Sequence, residues 1–240
     1  NSFTPETHLT TRQCLERAIK LDPNYADAWA WLAAMYRDEY SLQFNTRPDA
    51  IERAIETAQR ALSLDSMNQE AHIVLAHMLF FRDELEAFFV AAERAIAVNP
   101  NSFDLLSSMG LSIAFAGKYE WGAELLRKAS ALNPHPPGWF YVAFFLDHFR
   151  KAEYEEALAE AQKIDMPGYF LSHVARGAAY GKLGRAPEAA EATTSLLELY
   201  PDFLIGAREL IGRRVKSEEL VDDLIDGLRE AGMDIREQTN

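Results

Sequence analysis

Six histidines, one cysteine and one glycine-rich stretch are the residues of this 240-residue chain that could carry chemistry. A catalytic metal calls for two histidines on one helix face, as in H-E-x-x-H, or for cysteine and histidine at short fixed spacings. His8, His72, His77, His135, His148 and His173 form neither pattern, and His72 and His77, five apart, diverge on a helix. The stretch GAAYGKLG, residues 177–184, has the glycines and lysine of a phosphate-binding loop. Three residues rather than four separate Gly177 from Gly181, however, and no Ser or Thr follows Lys182. Serine, histidine and aspartate occur without the strand–turn–helix elbow of a nucleophile. These residues point away from an enzyme and from any metal or cofactor.

Bulk properties narrow the classes further. A net charge of −13 repels a phosphate backbone, and the basic stretch GRRVK (212–216) sits among acidic residues as a solvated helix end, so nucleic acid is not expected as a direct partner. The longest apolar run, GWFYVAFFL (138–146), is about half of the ~20 residues that a spanning helix needs, so no membrane span is expected. Cys14 alone cannot close an internal disulfide, which fits a reducing, cytoplasmic setting.

The elements that position side chains announce themselves by repetition. RAIAVNPN (94–101) echoes RAIKLDPN (17–24), RALSLDSMN (60–68), KASALNPH (128–135) and SLLELYPD (195–202). The turn positions Pro23, Ser66, Pro100, Pro134, Pro167 and Pro201 are separated by 43, 34, 34, 33 and 34 residues. Recurrence near 34 means one supersecondary unit repeated, and almost nothing has the alternation of a strand. In the first full unit Trp29, Leu32 and Tyr36 share one helix face, and Ala54, Ala58 and Ala61 share another. Large side chains facing small ones let two antiparallel helices approach closely.

This set resembles the tetratricopeptide repeat family, whose pattern runs W-x2-L-G-x2-Y followed by A, F, A and P. Trp29, Leu32, Tyr36, Gly110, Gly177, Tyr180, Ala61, Ala95, Ala129, Pro100, Pro134 and Pro201 match it over residues 10–202. Phe88 and Ala92 exchange the small and large positions in the second unit, a volume-conserving swap. The fourth unit, near Ala157 and Ala161, is compressed before Met166-Pro167-Gly168. The resemblance implies an all-α fold, a right-handed superhelical solenoid of antiparallel helix pairs with about five repeats. The expected organisation is a single solenoid over 1–240: an incomplete first repeat at 1–23, whose partner helix is expected upstream, repeats over 24–202 with a loop insertion near 40–48, and capping helices at 203–240.

The family also implies a function, the binding of a protein or peptide on the concave face formed by first helices. Its ligand positions fall here on Asp27, Ala30, Ala34, Arg37 and Asp38, on Glu70, Ile73, His77, Phe80 and Phe81, and on Asp104, Ser107, Leu111, Ala114 and Phe115. The fourth unit supplies Tyr141, Phe145, His148 and Phe149, and the fifth Leu171, Val174, Ala178 and Lys182. The partner-binding residues expected on this basis are Arg37, His77, Phe80, Phe81, Leu111, Phe115, Tyr141, Phe145, His148 and Phe149. For Phe80, Phe81, Phe145 and Phe149 a place in the core is the alternative. The Lys, Asn and Arg set with which related repeats grip chaperone C-termini is missing. A weaker resemblance, in YADAWAWLAAMY (25–36) and LVDDLIDGLREAGM (220–233), is to the repeat region C-terminal to bacterial class III adenylate or guanylate cyclases and some winged-helix regulators. It implies a regulatory or interaction module whose partner is a protein or the upstream domain of its own parent chain; the apolar inner surface leaves a second copy in a homo-oligomer as the alternative.

Overall fold

The computed structural model describes residues 4–236, and among these every regular element is helical. The chain divides into two compact units, one through Leu105 and one from Leu106 onward. The first holds α1 (Pro5–Leu21), α2 (Ala26–Ser41), α3 (Ala50–Leu64), α4 (Gln69–Phe81) and α5 (Leu85–Val98), with α2 paired to α3 and α4 to α5. α6 (Phe103–Phe115) runs across the division in sequence. The second unit continues with α7 (Tyr119–Leu132), α8 (Val142–Phe149), α9 (Tyr154–Lys163), α10 (Phe170–Lys182), α11 (Ala186–Leu199), α12 (Phe203–Gly212) and α13 (Glu218–Glu230). There α8 pairs with α9 and α10 with α11.

Two recurring turns explain the repeated phrases. Where one pair ends, the side chain of Asp22, Asp65 or Asn133 accepts from the backbone N–H two residues on, at 3.0 Å each. The carboxylate or amide oxygen holds the turn while the following proline or serine stops the helix. Within pairs the chain reverses through one left-handed residue, at Asp83, Gly117, Ala152 and Gly184 (φ 59°, 89°, 58° and 66°). The next N–H then bonds back to the carbonyl five residues earlier, as Lys118 does to Ile113 at 3.0 Å and Arg185 to Tyr180 at 3.0 Å. Glycine makes this turn without strain; Ala152 makes it with its Cβ crowded.

Packing follows the large-against-small pattern. Ala54, Ala58, Ala61, Ala95 and Ala129 are fully buried, and so are Phe88 and Ala92, the exchanged pair of the second repeat. Gly110 and Gly122 bring α6 and α7 together so closely that a Cβ on Gly122 would stand 2.5 Å from the Gly110 carbonyl oxygen. In the fourth repeat, Pro134, Pro136 and Pro137 delay helix formation. The chain enters through a 3-10 turn at Gly138–Tyr141, and α8 is left with eight residues.

The insertion is tied by hydrogen bonds to the helices around it. Residues 42–49 carry three left-handed non-glycine residues, Gln43, Asn45 and Asp49. Asn45 donates to the Pro5 carbonyl at 2.6 Å and lies 3.1 Å from His8 Nδ1, while His8 Nε2 donates to the Met35 carbonyl at 2.9 Å. Below it, fully buried Glu39 meets Arg12 at 2.5 Å, Arg53 at 2.6 Å and Arg47 at 3.3 Å. Arg53 and Arg47 also stack over the Tyr36 ring, 4.5 and 5.3 Å from its centre. One carboxylate thus ties together α1, α2, the insertion and α3.

The C-terminal helices take a course that repeat periodicity does not foretell. The 213–217 connection passes the end of α6, where Lys216 N–H donates to the Phe115 carbonyl at 2.8 Å. Ser217 then caps α13, accepting from Leu220 N–H at 3.3 Å, and α13 lies along α10. Gly181 and Gly227 meet at the crossing: a Cβ on Gly227 would stand 2.8 Å from the Ala178 carbonyl oxygen, and Lys182 pairs with Glu230 at 2.6 Å. Gly227→Leu is expected to cost about 1–3 kcal/mol through overpacking and to release α13. Hydrogen exchange on the variant would show the loss concentrated in 217–230; an unchanged melting midpoint would refute the close crossing.

Candidate peptide-binding face

In the first unit α2 and α4, the first helices of their pairs, lie side by side and present a mixed polar and aromatic surface. Arg37 on α2 is its centre. Its Nε donates to Asp38 at 3.0 Å and its Nη1 to Glu70 on α4 at 3.2 Å. Burial raises the Glu70 pKa above the ordinary carboxylate value; the adjacent Arg37 charge opposes the rise, and Asp38 and Asp104 add to it. Toward the start of the helices, Asn68 donates to Asp27 at 2.8 Å. Toward their ends, the rings of Tyr40 and Phe81 meet with centres 5.1 Å apart, and half-buried His77 lies one turn before Phe81. The face thus offers the half-buried Glu70 carboxylate and a guanidinium held by it and by buried Asp38, beside an aromatic pair.

Phe80 and Phe81 are neighbours in sequence with opposite fates. Successive helical residues point roughly 100° apart, so one ring turns inward and the other outward. Phe80 is buried against Phe88, ring centres 5.5 Å apart, and Phe81 stays on the face. Tyr40 escaped notice in the sequence because it falls in the extra turn of α2 created by the insertion, beyond the repeat's usual ligand positions.

The second unit places its expected site residues differently. Phe115, Phe145 and Phe149 are 3%, 2% and 1% exposed, so these rings, with Phe80, belong to the core rather than to an aromatic lining. Phe145 and Phe149 lie one turn apart on α8 with ring centres 5.3 Å apart, and Phe149 meets Tyr154 of α9 at 5.3 Å. Short and mostly apolar, α8 buries both rings together with Val142, Ala143 and Leu146, and Phe149 packs against α9. Leu111 and Tyr141 remain half-buried, the latter under the Lys163 ammonium at 5.4 Å, and His148 Nδ1 contacts Glu153 at 2.6 Å. On α10, Ala178 and Lys182 occupy family ligand positions, and α13 already covers them. Among the described residues, no group of three or more His, Cys, Asp or Glu could hold a metal ion, and no helix is long and apolar enough to cross a membrane.

Comparison with known proteins agrees with this architecture. A sequence profile of the tetratricopeptide repeat matches residues 14–53, from α1 through the insertion into α3. No curated protein sequence matches. Among solved structures, the chain is similar to one from the APC/C hetero-tetramer Cut9-Hcn1, with a TM-score of 0.70, 17% identity and coverage of 94% of this chain and 44% of that one. It therefore spans less than half of that protein. A tetratricopeptide repeat protein from Parabacteroides merdae matches with a TM-score of 0.59 and 14% identity over 94% of this chain and 92% of its own. YrrB, described as a tetratricopeptide protein with an unusual peptide-binding site, matches with a TM-score of 0.51 and 18% identity over 78% and 93%. At such identities the likeness is one of fold. The chain contains a tetratricopeptide repeat at residues 14–53 and has the all-helical repeat fold of that family.

Proposed function

We propose that the chain is a protein-interaction module that holds a peptide segment of a partner against the α2/α4 face of its first unit. The observation that carries this reading is the Arg37 bridge between α2 and α4, with Asp38 buried beside it, Glu70 kept half-buried and the Tyr40–Phe81 pair alongside. A partner's backbone N–H groups and basic side chains find acceptors there, and an apolar side chain finds an aromatic anchor of the kind that dominates interfaces. The peptide site of YrrB, a similarly folded protein, supports the same class of ligand. The phrases shared with the C-terminal regions of bacterial cyclases support a regulatory place in a larger signalling protein such as an adenylate cyclase. Self-association, as in a module of a winged-helix regulator, is the second reading; exposed Leu199 and Ile205 beside an open cleft between Tyr200 and Arg213 favour it.

A peptide-display selection against the immobilised chain tests the first reading. Enriched peptides are expected to lose about tenfold or more in affinity on Phe81→Ala and on Glu70→Gln, and to be indifferent to Lys182→Ala, in the second unit. Equal binding to all three variants would move the site elsewhere. Sedimentation across a range of concentrations decides the second reading, since a monomer at every concentration removes it.

A further inference from the structure

On the side of α10 turned away from α13, a cleft of about 270 Å³ opens toward α11. His173, Arg176 and Tyr180 line it from α10, one helical face by their spacing, and Glu188, Glu191 and Ser195 line it from α11. His173 is its innermost polar group, 6% exposed. Its Nε2 lies 2.9 Å from the Pro167 carbonyl oxygen. A carbonyl only accepts, so Nε2 carries the proton and Nδ1 is left as a bare acceptor. That Nδ1 is buried, and no donor among the described residues reaches it. A buried acceptor without a donor is an unusual feature of a folded protein and asks for its missing partner.

The rest of the lining says what kind of partner fits. The Arg176 guanidinium is turned onto its own helix, donating to the Ser172 carbonyl and hydroxyl at 3.2 Å each, and forms no ion pair with the glutamates across the cleft. Glu188 and Glu191 are engaged by no lysine or arginine among the described residues. The cleft therefore gathers an imidazole acceptor and two carboxylates, with the Tyr180 ring at its side. We propose that it is a binding site for a primary ammonium group. Such a group has three donors and no acceptor, which suits these three acceptors, and its charge suits two carboxylates facing one diverted guanidinium. This site is separate from the α2/α4 face and stands or falls without it.

The test uses the full chain labelled with 15N-histidine, the His173 signals being assigned with His173→Gln. Two amines are titrated, putrescine as a free amine and Nα-acetyl-lysine methylamide as a peptide side chain, with sodium acetate as the anion control. The expected result is a saturable movement of the His173 Nδ1 signal with at least one amine, and at least about tenfold weaker binding in Glu188→Gln/Glu191→Gln at unchanged helicity. Response to the lysine derivative alone assigns the site to a partner's side chain, and response to putrescine assigns it to free amines as well. No saturable movement with either amine, an equal response to acetate, or undiminished binding by the double variant overturns the proposal.

Discussion

Glu39→Ala is expected to destabilise the first unit by about 3–5 kcal/mol, the range for removing one partner of a buried charge cluster. Glu39 is fully buried, and Arg12, Arg47 and Arg53 converge on it. Without the carboxylate, three cations remain close together around a hole, and Arg12, 8% exposed, cannot swing into water without opening α1. Denaturant unfolding measures the loss, and hydrogen exchange should place it in α1, the 42–49 loop and the start of α3. A loss below about 1 kcal/mol would mean that the insertion is held without the charge cluster, by contacts such as those of Asn45 with Pro5 and His8. The same carboxylate makes the unit acid-sensitive. Burial by itself raises its pKa, but the hydrogen bonds from Arg53 and Arg12 and the charge of Arg47 outweigh burial, so the folded pKa lies below the ordinary carboxylate value. A depressed folded pKa adds stability that is present above the unfolded pKa and lost as pH falls through the folded one. Wild-type stability should therefore drop as pH falls below the ordinary glutamate range, and Glu39→Gln should flatten that drop.

Phe149→Ala is expected to cost about 3–5 kcal/mol, because the ring is 1% exposed and packs against both Phe145 and Tyr154. Phe81→Ala, at a half-buried ring on the α2/α4 face, is expected to cost about 1 kcal/mol. The contrast separates two residues that occupy comparable family positions. Melting curves and peptide affinity measured on the same two variants check it. Phe149→Ala should lose stability first, whereas Phe81→Ala should lose binding at nearly unchanged stability. A Phe149→Ala variant as stable as the wild type would place that ring outside the core.

Much of this protein is determined by local rules that a sequence displays openly. The DPN, DSM and NPH turns are short-range devices in which a side-chain oxygen captures a backbone N–H two residues away, so their recurrence marks where pairs end. The buried alanines of the second helices are equally local, since close helix packing leaves room for nothing larger. Arg37, His77 and Phe81 come from the ligand positions that the family resemblance implies, and helical spacing keeps such positions on one face. Tertiary structure decided the remainder. Which of Phe80 and Phe81 turns outward depends on about a third of a helical turn, and only the neighbouring Phe88 settles that rotation. The charge cluster that ties down the insertion comes from positions 12, 39, 47 and 53, so no spacing rule joins its members. The path of α13 rests on a glycine-to-glycine crossing between residues 181 and 227. Periodicity specifies a helix and its apolar face; which distant surface that face covers is chosen by shape and charge in three dimensions.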